Sequence, residues 1–190
     1  MKEVVFAILL PFLFSGVCWA LGEKVLLVVA DNYRDEEFEA SYSAVKEAGL
    51  TPVIASKSKG TLKGMLGGKT QAELALKDVD PSSYKAVIFV GGVGASVFWD
   101  DPDAHRIAKE VYSKGKPICA ICIAPVTLAK AGLLKGVKAT SWPSVAQDLR
   151  NNGAIYVDSP VIEDKGIITA NGPQAAIKFK EAIVKKLKGI

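Results

Sequence analysis

Cys122 stands where the apolar run Ile118-Cys119-Ala120-Ile121 ends, and Pro125 opens a helical pattern three residues later. Ala120 and Ala124 flank it two residues away on each side. This is the small-x-nucleophile-x-small spacing of a nucleophile elbow, with Cys in place of Ser and Ala in place of Gly. Small neighbours let a strand and a helix approach at a sharp turn, and the positive end of the helix favours a thiolate. A thiolate there attacks a carbonyl carbon or is oxidised by peroxide, depending on access. An isolated buried cysteine is ordinarily structural; the flanking pattern tips the reading toward chemistry.

Carbonyl attack needs donors for the oxyanion, usually two N–H groups. In elbow sites one comes from the residue after the nucleophile, here Ile123. The run Gly91-Gly92-Val93-Gly94 supplies the second, with Gly92 as the candidate; its plain alternative is a tight turn after a strand. It is no dinucleotide fingerprint, because Val97 occupies the third glycine position. Proton handling falls to Glu39, beside the apolar residues Phe38, Tyr42 and Val45 on the first predicted helix. Partly buried, this carboxyl would stay protonated near neutral pH, since desolvation disfavours its charged form. It could then donate a hydrogen bond to the thiolate. On the residues alone, a solvated carboxylate among Asp35, Glu36 and Glu37 is the simpler reading. His105, the one histidine, falls in the second turn of a later helix and reads as a boundary residue. Asp100 and Asp101 read as turn and cap residues, and Trp99 and Trp142 as pocket or core aromatics.

These groups need a scaffold, and 190 residues with 49% apolar and 23% charged side chains make one well-cored domain, expected over residues 22–190. The net charge of +4 gathers on lysines near the C-terminus, interleaved with apolar residues at helical spacing, so a docked helix is expected and no nucleic-acid partner. Residues 1–20 read as a signal peptide cleaved after about Ala20, with an uncleaved membrane anchor as the alternative. Export, periplasmic or extracellular, would follow. Cys119 and Cys122, three apart on an extended strand, lie roughly 10 Å apart and on opposite faces. A disulfide needs Cα atoms within about 7 Å, so no redox pair is expected. No second Cys/His pair is present for zinc.

Apolar runs at 24–30, 51–55, 85–90, 117–121 and 167–170 alternate with helical patterns at 35–48, 101–113, 125–131, 143–150 and from 173. A hairpin excursion is expected within 57–76, and short strands at 137–141, 154–157 and 161–163. This alternation predicts an α/β fold: a three-layer αβα sandwich on a flavodoxin-like, mostly parallel sheet. Sites in such sheets collect beyond the carboxyl ends of strands. The segment before Glu39, Gly91-Gly92, Cys122 and Trp142 all fall at such ends, which predicts one shared pocket.

The chain from Lys24 onward resembles the ThiJ/PfpI (DJ-1/PfpI) family of the class I glutamine amidotransferase-like superfamily. The resemblance rests on Glu36-Glu37-Phe38-Glu39, Val90-Gly91-Gly92-Val93-Gly94-Ala95, Ala120-Ile121-Cys122-Ile123-Ala124-Pro125 and Thr169-Ala170-Asn171-Gly172-Pro173. It implies Cys122 as the reactive cysteine, Glu39 as its hydrogen-bonding carboxyl, amides near Gly92 and Ile123 at the oxyanion, and a homodimer or higher oligomer. Protease-like members carry His directly after the cysteine, where this chain has Ile123. Others place a His where it has Trp142 before Pro143. The implied function is cofactor-free, cysteine-dependent hydrolysis or glyoxalase-like turnover of reactive carbonyls or glycated proteins. A redox-responsive stress protein or holdase is the alternative, and a cysteine peptidase or amidase the third.

Overall fold

A computed structural model describes residues 22–189. In chain order the strands and helices are β1 (Lys24–Val28), α1 (Asp35–Glu47), β2 (Thr51–Ser56), β3 (Gly60–Lys63), β4 (Lys69–Ala72), β5 (Leu74–Ala75), β6 (Tyr84–Phe89), α2 (Pro102–Ser113), β7 (Ile118–Ile121), α3 (Pro125–Lys130), β8 (Lys138–Ala139), α4 (Ala146–Asn151), β9 (Ile155–Tyr156), β10 (Val161–Asp164), β11 (Ile167–Ala170) and α5 (Ala176–Lys188). Seven strands form one sheet in the order β10-β11-β7-β6-β1-β2-β5. Every neighbouring pair is parallel except β10 with β11. The mostly parallel αβα sandwich is as the alternation of elements predicts.

Burial on both faces explains the unbroken apolar strands. In β1, Leu26 and Val28 join the core under α2, α3 and α4, whereas Val25 and Leu27 join the core under α1 and α5. Helix starts follow local chemistry. Asp101 caps α2 by accepting the Ala104 N–H at 2.8 Å, and Pro102 occupies its first turn. Three acids fill the first turn of α1. The excursion after β2 is the antiparallel hairpin β3–β4, which stands apart from the main sheet.

Cys119 and Cys122 are free thiols. Both pack into the core under α1 and α5, not on opposite faces. The strand ends at Ile121, and Cys122 turns with φ of 66°, so strand alternation no longer applies. The segment 1–20 lies outside the described residues. Phe179 on α5 is wholly buried, whereas Ile177 on the same helix is 72% exposed. Phe179→Ala is expected to cost about 3–5 kcal/mol and Ile177→Ala less than about 0.5 kcal/mol, as read from denaturant unfolding midpoints.

Candidate active site

The carboxyl ends of β1, β6 and β7 converge on one cavity of about 280 Å³, lined among others by Arg34, Glu37, Gly92, Cys122, Ile123 and Trp142. Cys122 sits at its floor, 9% exposed and in the left-handed region with φ of 66°. A non-glycine residue there costs about 1–2 kcal/mol, so the surroundings must hold it. Its amide donates to the Ala170 carbonyl at 2.9 Å, and its carbonyl accepts the Trp142 amide at 2.8 Å. Trp99 Nε1 donates to the Ile123 carbonyl at 3.2 Å and fixes the next peptide.

The carboxyl at the sulfur belongs to Glu37, not Glu39. Glu37 is wholly buried, while Glu39 faces solvent. Two residues along a helix are about 200° around its axis, so the two side chains cannot share a face. Both Glu37 oxygens lack a partner in strict hydrogen-bond geometry; the groups that approach them are the Cys122 thiol and the Gly91 amide. Gly91 is required by this approach: a Cβ there would land on the Glu37 carboxylate and on Cβ of Cys122. Gly92, at φ of 105°, leaves no room for a side chain against the Asn32–Arg34 backbone.

The amides of Gly92 and Ile123 both face the sulfur and favour its ionised form. Burial outweighs them and, with the adjacent Glu37 charge, pushes the Cys122 thiol up to about 12. The thiolate expected from a helix end is therefore not the resting state. The helix that follows, α3, has six residues and begins only at Pro125, too short and too late to overcome desolvation. Burial likewise lifts the Glu37 carboxyl to about 8, against the opposing pull of the thiol and of Arg34. At neutral pH the site rests as thiol plus carboxylic acid.

Trp142 is 38% exposed and forms one wall; its ring lies over Gly172, where an added Cβ would come within 2.7 Å of Cε3. Gly91 lies behind the sulfur and acts through its small size. His105 is elsewhere: its Nε2 meets the Trp99 carbonyl at 2.8 Å. The cavity residues not foreseen include Arg34, Glu37, Met65 and Val93. Glu37 was legible in one respect. Ser41, Ala44 and Val45 follow it at helical spacing and are buried with it, a small-residue face that packs closer than Phe38 and Tyr42 allow.

Residues 23–186 match the sequence profile of the DJ-1/PfpI family. The chain is similar to the MJ0967 protein of Methanocaldococcus jannaschii, with 39% identity covering 87% of this chain and 82% of that one. It is 32% identical to a protein of Pyrococcus abyssi named Deglycase PYRAB04690, covering 87% of this chain and 99% of the relative. Among solved structures it is similar to a ThiJ/PfpI domain protein from Brachyspira murdochii, with a TM-score of 0.84, 30% identity, and coverage of 88% of this chain and 97% of that one. These comparisons overturn the expectation of export or membrane anchoring: the proteins that the chain matches are DJ-1/PfpI proteins, and nothing in those matches marks an exported or anchored one. Among the described residues, no helix is long and apolar enough to cross a membrane.

Glu37 also ties stability to pH. The unfolded chain releases this proton near 4.5 and the folded one near 8, so the folded state holds the extra proton between those values. Stability therefore falls as pH rises across that window. Glu37→Gln removes the cost of ionising a buried carboxyl. Its advantage over the wild type is expected to grow from pH 5 to pH 8.5, on the order of 4 kcal/mol at most. Denaturant titrations at the two pH values check this, and parallel shifts in both proteins would exclude Glu37 as the group responsible.

Proposed function

The chain belongs to the DJ-1/PfpI family, and from that premise we propose that it is a cysteine-dependent enzyme acting on small reactive carbonyls, of which 2-oxoaldehydes are the simplest. The observation that carries this reading is the convergence of one carboxyl and two amides on one sulfur, at the floor of a mostly apolar cavity. The deglycase relative agrees with a carbonyl or glycated substrate. The domain from residue 22 onward is the proposed catalytic unit, acting as a homodimer or higher homo-oligomer.

Ionised Glu37 takes the thiol proton, and sulfur forms a bond to the aldehyde carbon. The carbonyl π pair moves onto oxygen, where the Gly92 and Ile123 amides stabilise the developing charge. Glu37 returns its proton to that oxygen, giving a hemithioacetal. The carboxylate then takes the hydrogen of the former aldehyde carbon as a proton and passes it to the neighbouring carbonyl oxygen, giving an enediol; it next takes the proton of the first hydroxyl and delivers it to the second carbon. One carbon is oxidised to the thioester level and the other reduced to an alcohol, so no external redox partner is needed. Water cleaves the thioester, releases a 2-hydroxy acid and restores the thiol. A peptidase reading has less support, since the single histidine lies at Trp99 and not beside Cys122.

Methylglyoxal consumption by the wild type should be lost in Cys122→Ser; equal turnover in that variant would reject the reading. The reactive form carries one proton shared between sulfur and carboxyl, a coupled pair. Wild-type kcat/KM should thus rise through about pH 8 as Glu37 ionises. Glu37→Gln should lose that rise and fall by about 10²–10⁴-fold.

A further inference from the structure

We propose that Asp35 is a positioning residue that latches the loop between β3 and β4 over the cavity, so that Met65 on this loop limits the size of what reaches Cys122. The inference rests on the carbonyl reading only for its kinetic arm. Asp35 opens α1, two residues before Glu37, and its side chain is directed away from the sulfur toward the hairpin. It is 9% exposed. Its two oxygens accept the Leu66 amide at 2.7 Å and the Gly68 amide at 2.8 Å. No basic side chain pairs with it among the described residues. A carboxylate buried on amide partners alone is a geometric device: amides of one loop meet it only in one arrangement.

The loop is shaped around that carboxylate. An added Cβ on Gly64 or Gly68 would collide with the Asp35 oxygens, so both glycines clear its space. Gly64 N–H donates to the Gly68 carbonyl at 2.8 Å and closes the loop on itself. Met65 N–H donates to the Tyr33 carbonyl at 2.9 Å, which joins the loop to the residue just ahead of α1's entry. Met65 thereby lines the cavity that holds Cys122, Glu37 and Trp142. At 41% exposure it is a wall reached from solvent, not a core residue. Two segments thus meet at one carboxylate, the hairpin beside the cavity and the helix that delivers Glu37, and the Tyr33 carbonyl ties the same loop to the chain just ahead of that helix.

The latch predicts discrimination by size, which a role in folding alone would not produce. Cys122 alkylation by iodoacetamide and by the bulkier N-phenylmaleimide is followed by peptide mass mapping on the folded protein at one pH. With each rate divided by that of a free thiol such as glutathione, the wild type should favour the small reagent. Asp35→Ala should narrow the ratio of the two rates by about tenfold, the scale of losing a charge-assisted hydrogen bond. Asp35→Asn keeps one acceptor and should fall between. Met65→Ala trims the wall without touching the latch and should narrow the ratio too, which keeps the test valid if Asp35→Ala does not fold. With methylglyoxal, Asp35→Ala should raise KM more than it lowers kcat. Unchanged alkylation ratios in folded Asp35→Ala or in Met65→Ala would overturn the latch. A wild type that does not consume methylglyoxal yet shows the shifted ratios would refute the carbonyl reading and leave the latch supported.

Discussion

A carboxyl buried beside a thiol is the constraint around which this molecule is arranged. Neither group is at ease there. Desolvation lifts Glu37 to about 8 and Cys122 to about 12, and each would be lower in water. The contact exists because three backbone features leave no other arrangement. Gly91 has no side chain to separate the two groups, Cys122 takes a left-handed turn that points its sulfur back toward α1, and α1 presents its small-residue face to the sheet. Removing any one of these would let water or distance relax the pair. The energetic cost of holding it is met by the rest of the fold, where strands covered on both faces bury apolar side chains on each side.

The architecture was legible because its signals are local and strong. Unbroken apolar runs read as doubly covered strands, and Asp101-Pro102, Gly49 and Pro173 mark helix limits by capping chemistry that does not depend on tertiary context. Cys122 was legible for a related reason: small residues at fixed offsets record a backbone turn in the sequence itself. The two amides followed from the same turn, since Ile123 is covalently next to the sulfur and Gly92 ends the neighbouring strand.

Glu39 against Glu37 shows where such reading fails. Four residues, three of them acidic, stand together at 36–39, and the one that is buried depends on the rotation of α1 about its axis. Phe38 and Tyr42 drew the apolar face in one direction. The fold chose the face with Ala40, Ser41 and Ala44, because close approach to the sheet is possible only for small side chains. Hydrophobicity was therefore the wrong guide and volume the right one. The thiol departs from the helix-end expectation for a different reason. A helix end favours a thiolate when solvent also reaches the sulfur, and here burial is the larger effect. Met65 was out of reach, since nothing local ties a hairpin tip to a strand end across the sheet.

The groups in this cavity also bear on which chemistry they can complete. Hydrolysing an amide requires an acid placed on the departing nitrogen as well as a base at the nucleophile, and a histidine often serves both. Here Glu37 is packed against the sulfur, and the only histidine is bonded at Trp99. Addition to an aldehyde has no leaving group. The proton taken from sulfur can be given back to the new alkoxide a short distance away, and the later carbon-to-carbon transfer again begins and ends on one base. A carboxyl beside a thiol can serve each of those transfers in turn, and the neutral resting pair leaves sulfur and carboxyl uncharged until Glu37 ionises. The walls fit the same economy: Met65, Val93 and Trp142 add no acid or base of their own, so none of them competes with Glu37 for the proton of the thiol.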